Sequence, residues 1–246
     1  MNNNISKIER LIEGSGARIE FPEWPKIVVP HKRFGNIAFD INDVNYENKQ
    51  LTLWMSDCIA EGFEFDAPES NGDGNNHHWR ELCGSGNYAQ SAIRQYINAD
   101  GYGWWQPQTS YDKAPSYVNE PGFLAGFPKE FVDMLIPTER ICATNKVFEY
   151  GMNTISQYSV RDKMFLPSYT ELTGKPNGDV MEGHKFNLLD KHEEYMTKSD
   201  WYFLRSCSPW NPNDVRHVDG DGNPGYYDYP YHRNGGFAAA CVIQGI

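Results

Sequence analysis

Residues 201–243 read WYFLRSCSPWNPNDVRHVDGDGNPGYYDYPYHRNGGFAAACVI, and three short apolar runs in this stretch are separated by polar turns. Trp201–Arg205 and Val215–Val218 are rich in the aromatic and β-branched residues that favour strands. Asp219–Gly225 consists mainly of Gly, Asp, Asn and Pro, which favour a turn. Gly236–Ile243 is apolar throughout, which indicates a strand buried on both faces. This part of the chain is therefore predicted to form short strands joined by irregular loops.

The rest of the chain adds strands and helices of similar length. Ile37–Ile41 and Gln50–Met55 are predicted strands, while Tyr88–Ile97 and Pro128–Ile136 carry apolar residues at helical spacing. Long polar or Pro-rich segments separate these elements, and the sequence contains no internal repeat. The pattern indicates one globular domain of mixed α+β type with many turns and long loops.

The composition supports a folded core and excludes some classes of partner. Aromatic residues make up 14% of the 246 residues, including seven Trp and fifteen Tyr, which a disordered chain would lack. The formal net charge is −11, so the chain lacks the basic surface that is typical of nucleic-acid binders and of proteins held on anionic membranes. No apolar run approaches the ~20 residues that span a bilayer. We therefore expect neither nucleic-acid binding nor membrane insertion.

The N-terminal region differs from the rest of the chain. Phe21–Pro30 carries three prolines, which favour an extended connector. We expect an N-terminal attachment helix and Pro-rich linker in residues 1–34, and a globular domain in residues 35–246. A helix this short is marginal in water, so its apolar stripe either packs on its own domain or joins the chain to another subunit. The four residues of this stripe, which recur at helical spacing, are Ile5, Ile8, Leu11 and Ile12.

The start of the sequence and its cysteines bear on the compartment. The N terminus has no basic segment followed by a long apolar one, so we expect no signal peptide. The five cysteines are scattered along the chain, and no pair has CxxC spacing. We therefore expect reduced thiols in a protein made in the cytoplasm, and no structural zinc site.

Aromatic and amide side chains are concentrated in the loops between Ser206 and Gly236. Tyr and Trp give rigid contact area with a polar tip, and Asn and Asp add hydrogen-bonding groups, so this composition is typical of a recognition surface. The alternative is a packed loop whose aromatic residues cover the sheet. The predicted ligand-binding or subunit-binding residues are Trp210, Asn213, Asp214, Tyr227, Tyr229 and His232.

One turn in these loops has features of a calcium loop. Asp219, Asp221 and Asn223 alternate with glycine, and hard cations require several oxygen ligands around a sharp turn. The glutamate that would complete an EF-hand loop is missing at its expected position. The alternative is a plain hairpin turn, which Asp-Gly and Asn-Pro-Gly favour. The segment Asn71–Asn76 has the same two interpretations. We expect no cofactor, with calcium as the open alternative.

Several segments taken together resemble a domain family of unknown function that occurs in tail-fibre and head-fibre proteins of phages of Gram-positive hosts and in bacterial surface proteins. The resemblance implies a compact fold similar to C-type-lectin-like domains, in which a small twisted, mainly antiparallel sheet with two short helices carries long loops. One departure is Phe237-Ala-Ala, which stands where an Arg-containing run is more usual. The segments that carry the resemblance are Phe63–Ala67, Ser91–Asn98, Gly103–Trp105, Pro121–Phe127, Lys163–Ser168 with Glu171, Trp201–Ser206 and Gly235–Ala240.

The resemblance implies a structural protein of a phage virion, and not an enzyme. It would be a decoration, fibre or tail-associated subunit whose lectin-like domain binds a ligand, a receptor or another subunit. Other virion proteins and a cell-surface glycan are the expected partners, and a homo-oligomer is expected, with a trimer favoured by the cyclic symmetry of fibres. One alternative is a carbohydrate-binding surface module of a bacterium. The other is an enzyme, either of the formylglycine-generating type with Cys207 and Cys241 or a glycosidase that uses acidic residues such as Glu64.

Overall fold

A computed structural model of the chain describes residues 18–20, 25–60, 62–68, 84–108, 112–145, 155–211 and 213–244. The predicted N-terminal helix with Ile5, Ile8, Leu11 and Ile12 lies outside these residues, as does the Asn71–Asn76 loop. The predictions made for those segments therefore stay predictions.

Short strands account for most of the regular structure in the described residues. They are β1 (Arg18–Glu20), β2 (Lys26–His31), β3 (Gly35–Asn45), β4 (Gln50–Met55), β5 (Thr138–Asn145), β6 (Ile155–Asp162), β7 (Met164–Phe165), β8 (Tyr202–Cys207), β9 (Val215–Val218), β10 (Tyr226–Asp228), β11 (Gly236–Phe237) and β12 (Ala240–Gln244). The α-helices are α1 (Ala92–Ile97), α2 (Lys129–Met134) and α3 (Tyr169–Thr173), and 3-10 turns occur at Tyr88–Gln90, Phe123–Gly126, Asn187–Asp190 and Glu193–Met196.

These strands form three sheets. The largest has the order β1-β2-β3-β4-β12-β7, and all of its pairs are antiparallel. A second sheet has the order β10-β9-β8-β11, in which only the short β8–β11 pair is parallel. The third is the β5–β6 hairpin. The predicted mixed α+β class with a mainly antiparallel sheet is therefore confirmed.

The apolar C-terminal run contributes one strand to the second sheet and one to the largest sheet. It forms β11 and β12, which are separated by Ala238 and Ala239, and residues 236–243 are all buried. β12 pairs with β4 on one side and with β7 on the other. This position explains why the run has no polar alternation, since both faces of the strand are covered.

The proposed linker contributes a strand to the same sheet. β2 pairs with β3 along its whole length, and Ile27 and Val29 are completely buried. Pro30 is accommodated because it lies next to the end of the strand. The sheet therefore begins before residue 35, and the second half of the Phe21–Pro30 segment belongs to the folded body.

The helices are shorter than the apolar periodicity indicated. The predicted helix Tyr88–Ile97 is a 3-10 turn followed by α1, because Ser91 adopts an extended conformation and its side chain accepts a hydrogen bond from the backbone of Arg94 as the N-cap of α1. α3 begins where residues 162–168 indicate a strand that runs into a turn or the start of a helix. It begins with a complete capping box, in which Ser168 and Glu171 each bond the other's backbone N–H.

No helix in the described part of the chain has the length and apolar character needed to cross a bilayer.

Candidate functional site

The β9–β10 hairpin presents a row of aromatic rings on one face. The His217 ring lies 4.9 Å from that of Trp201 and 5.9 Å from that of Tyr226, with which it is nearly parallel. The register explains the row, because Tyr226 is paired with His217 across the hairpin and His217 with Phe203, which is two residues from Trp201. Tyr226 ends the row and is 54% exposed.

A second group of rings follows β10 in the chain. Tyr229 and Tyr231 are stacked with 5.9 Å between their ring centroids, and His232 contacts both rings edge-on. His232 Nδ1 lies 2.6 Å from Oδ1 of Asp228, which is four residues earlier in the sequence. The ring of His232 is therefore fixed by an acidic neighbour while the Tyr229 ring stays exposed.

Backbone hydrogen bonds fix the loop that carries the second group. The amide of Gly62 donates to Arg233 O and that of Asp66 to Pro230 O, so the loop after β10 is fixed to the segment 62–66. Gly235 lies directly on the Trp201 indole, because a Cβ at this position would come within 2.3 Å of that ring. The two groups lie directly before β8, in the β9–β10 hairpin and in the loop that follows it, and we call them together the aromatic surface, which consists of Trp201, His217, Tyr226, Tyr229, Tyr231 and His232.

Three of the six predicted binding residues lie in the segment that precedes β9. Asp214 precedes β9. Burial is the main cause of its raised pKa, and the charge of nearby Asp228 adds to the effect. Asn213 is buried, and its amide donates to Asp214 Oδ1. Trp210 is 67% exposed in the turn between β8 and β9. The structure thus brings Asp214 close to Asp228 and places Tyr229 and His232 beside them.

Tyr227 faces the other way. Its ring lies over the Arg216 guanidinium, which is sandwiched between Tyr227 at 4.5 Å and Tyr169 at 4.0 Å. Because Arg216 is buried and also donates to Asn177, this stack is part of the packing between β9 and α3. The alternation along β10 could have separated Tyr226 from Tyr227, since neighbouring side chains of a strand point to opposite faces. Trp201 was missed because the strand pattern alone explained it.

The aromatic surface carries few charges that a ligand would have to neutralise. Burial lowers the pKa of His217, against the opposing charges of Asp228 and Asp219, so the ring is neutral at neutral pH. The charges of Asp228 and Asp219, which act on His217, are acidic, as is the net charge of the whole chain.

In the turn considered for calcium binding, hydrogen-bond donors of the turn itself bond to the Asp219 carboxylate. Asp219 Oδ1 accepts hydrogen bonds from the amides of Asp221 and Asn223, and these bonds lower the pKa of Asp219 against the effect of burial. The side chain of Asn223 donates to the same carboxylate. Within the described ranges, no group of three or more His, Cys, Asp or Glu side chains is arranged to hold a metal ion.

The most deeply buried charges form a network under α3. Arg205 is paired with Glu171 through two hydrogen bonds of 2.5 and 3.0 Å. Glu182 accepts from the Ala143 amide and from Ser206 Oγ, and burial raises its pKa. Each acid in this network has protein partners, which is the arrangement of a structural ion pair.

The thiols considered for catalysis are also buried. Cys207 and Cys241 are completely inaccessible, and burial raises the pKa of both. Burial likewise raises the pKa of Cys142 to about 12. Nucleophilic thiols instead have a lowered pKa, because the thiolate is the reactive species. The cysteines that the structure describes are free, without disulfides.

The comparison with known proteins gives one finding. A family described as "Domain of unknown function (DUF6273)" matches residues 48–244, which is most of the chain. Neither the curated proteins nor the solved structures give a match.

Proposed function

The chain belongs to the DUF6273 family of domains of unknown function, and we propose that it is a binding module, without catalytic activity, whose aromatic surface holds a cell-surface carbohydrate. The observation that carries this proposal is the exposure of Tyr226 and Tyr229 at the ends of two fixed stacks of rings. Rings that are already held in place lose little conformational freedom when a ligand binds.

The chemistry of the surface matches that of a sugar. One face of a pyranose is made of C–H groups and packs on an aromatic ring, while its rim carries hydroxyls that need hydrogen-bonding partners. Asp228 and His232 supply such partners beside Tyr229. Because the surrounding charges are acidic, we expect neutral or amino sugars to bind better than acidic ones.

The wider setting is a phage virion. The sequence resemblance of residues 63–243 to fibre-associated domains supports this part of the proposal, together with the lectin-like arrangement of short strands and long loops that it implies. The domain would face outward as part of a decoration, fibre or tail-associated subunit, and the segment that precedes β1, with Ile5, Ile8, Leu11 and Ile12, would attach it to other virion proteins or join copies of the chain. Identification of the chain in purified phage particles by mass spectrometry tests this setting directly.

A glycan array that includes bacterial cell-wall polysaccharides tests the binding activity. We expect the wild-type chain to bind at least one neutral or amino-sugar glycan, and the double variant Tyr226→Ala/Tyr229→Ala to lose at least tenfold in affinity, because each stacked ring contributes roughly 1 kcal/mol or more. Tyr102→Ala is the matched control, since Tyr102 is 77% exposed and lies outside the aromatic surface. Equal binding by the double variant and the wild type would refute the assignment of this surface.

A further inference from the structure

A polar depression lies between the β3–β4 turn, the start of β5 and the segment 184–187. Its outer part is a groove of about 720 Å³. Its inner part is a recess of about 300 Å³, which is the size of a small-ligand pocket. We call the two together the polar groove, because the same residues line both: Asp43, Thr52, Glu139, Arg140 and His184.

A β-bulge places Asp43 in this groove. Asp40 pairs with Trp54 and Asp43 with Thr52, so three steps along β3 match two steps along β4. In a regular strand Asp43 would share a face with the core residues Phe39 and Ile41. The extra residue moves Asp43 to the face of Thr52, and bulges are known to redirect side chains in this way near functional sites.

The carboxylate of Asp43 is partly available to a ligand. Its Oδ1 atom accepts one hydrogen bond, from the Asn187 amide at 3.1 Å. Burial raises its pKa, and so does the charge of Glu171, while the Asn187 hydrogen bond and Arg140 act in the opposite direction. A carboxylate has about four acceptor positions, so Asp43 keeps acceptor capacity that faces the groove.

The Arg140 guanidinium packs on an aromatic ring and makes few hydrogen bonds to the residues that the structure describes. It lies flat on the Phe165 ring at 3.6 Å. Its one hydrogen bond within the described part of the chain runs from Nη1 to Glu171 Oε1 at 3.3 Å, and Glu171 is itself held by Arg205. Guanidinium carries five N–H donors, so this arrangement leaves a rigid donor group at the wall of the recess.

An aromatic ring and uncharged polar groups complete the lining. Tyr46 is 69% exposed at the outer part of the groove, next to the amides of Asn45 and Gln50. In the outer part the acids Asp43, Glu47 and Glu139 outnumber Arg140 and Lys185 by one. The inner recess adds Glu171, Glu182 and Arg205, which bond to one another and to neighbouring protein groups. This excess of acids disfavours an anionic ligand, and the mixture of an aromatic ring, a carboxylate, a guanidinium and a hydroxyl suits a polyhydroxylated one.

We propose that the polar groove is a second binding site, which takes a neutral pyranose unit of an oligosaccharide. Asp43 accepts hydrogen bonds from adjacent hydroxyls of this unit in the inner recess, and Arg140 donates to its oxygens. Tyr46 stacks on the unit that follows at the outer end. None of these residues belongs to the aromatic surface, so the second site does not depend on the first.

Saturation-transfer NMR and calorimetry on the full chain test this proposal. The probes are the methyl glycosides of glucose, galactose, mannose, N-acetylglucosamine and N-acetylgalactosamine. We expect at least one to bind with a Kd in the millimolar range, which is ordinary for a single sugar unit. Asp43→Asn should weaken that binding about tenfold, because it removes a charged acceptor. Tyr46→Ala should leave the binding of the methyl glycoside unchanged and weaken about tenfold the binding of a disaccharide of the same sugar, whose second unit loses its stacking surface.

Two controls separate this site from the aromatic surface. The double variant Tyr226→Ala/Tyr229→Ala should retain binding of the methyl glycoside, and so should Tyr102→Ala. Circular dichroism confirms that each variant is folded. The proposal is overturned if none of the five glycosides binds, if Asp43→Asn binds the glycoside as the wild type does, if Tyr46→Ala binds the disaccharide as the wild type does, or if binding is lost in the aromatic-surface variant and unchanged in Asp43→Asn.

Discussion

Lys198 lies with its ammonium group 3.7 Å above the Trp54 indole, and both side chains are buried. Its Nζ atom has no hydrogen-bond partner among the described residues. Burial lowers the pKa of Lys198 to about 8, although the charges of Asp40 and Asp57 oppose this change. A buried charge without hydrogen bonds is costly, so Lys198 lowers the stability of the folded state at neutral pH.

The sign of the pH dependence follows from the two pKa values. The pKa of Lys198 is about 8 in the folded protein and 10.5 without burial. Below pH 8 both states carry the proton and the full cost is present. Between pH 8 and 10.5 the unfolded state still binds the proton that the folded state has released, so this contribution to stability rises with pH. The shift corresponds to a cost on the order of 3 kcal/mol.

We therefore expect Lys198→Met to change stability in a pH-dependent way. Methionine has a similar length without the charge, and its thioether can still contact Trp54. The difference in free energy of unfolding between Lys198→Met and the wild type should favour the variant most at pH 7, and it should decrease by pH 9.5. Urea unfolding at both values measures it, with the exposed Lys191→Met as the control. A difference that grows with pH would contradict the pKa assigned to Lys198.

Side-chain environments of this kind could not be read from the sequence. Lys198 and Trp54 are 144 positions apart in the sequence. They meet only in the folded protein, where the segment 186–199 packs against the strand that carries Trp54. For the same reason the polar groove was not predicted, since Asp43 and Arg140 belong to different sheets. Tyr229 and His232 were predicted because they are close in sequence and their loop folds on itself.

At the scale of elements, the sequence predicted strands better than helices. The strand runs at 37–41, 50–55 and 215–218 fall within observed strands, and the run at 236–243 is divided between β11 and β12, because alternating or fully apolar runs are local signals. Helix ends depend on caps, and one residue can end an apparent periodicity. Ser91 divides the predicted helix 88–97 in this way, and Gly174 ends α3 after five residues.

Gly174 gives a prediction for one such end. It caps α3 with φ 74°, a left-handed conformation in which any Cβ is strained. A Cβ would meet Lys185 only at 3.6 Å, so space is not limiting. Gly174→Ala should therefore lower the free energy of unfolding by about 1 kcal/mol, and Gly174→Asn by less, because asparagine tolerates this conformation. Thermal unfolding monitored by circular dichroism compares the two, and equal losses would indicate steric conflict instead.

At the scale of the whole molecule, the matched family region and the folded body do not coincide. The match covers residues 48–244, which starts just before β4. β1, β2 and β3 precede the matched region in the chain, but they belong to the same sheet as β4, in which β3 is paired with β4. The side chains of Ile27, Val29, Phe39 and Ile41 belong to the main hydrophobic core. The N-terminal strands are therefore part of the folding unit although the family match does not include them.

This arrangement predicts the behaviour of truncated chains. A fragment of residues 48–246 loses five core side chains, since Ile37 of β3 also belongs to the core, and it leaves β4, which carries Leu51 and Leu53, as an exposed strand edge. Removing that much buried apolar surface costs several kcal/mol, which approaches the whole stability of a typical domain, and an open apolar edge promotes aggregation. We expect this fragment to be insoluble or to unfold without a cooperative transition.

A fragment of residues 18–246 keeps every strand of the sheet, so it should unfold cooperatively with a Tm close to that of the full chain. Differential scanning calorimetry of the soluble material distinguishes the two, and a cooperative transition of the 48–246 fragment at the Tm of the full chain would show that β1, β2 and β3 are dispensable.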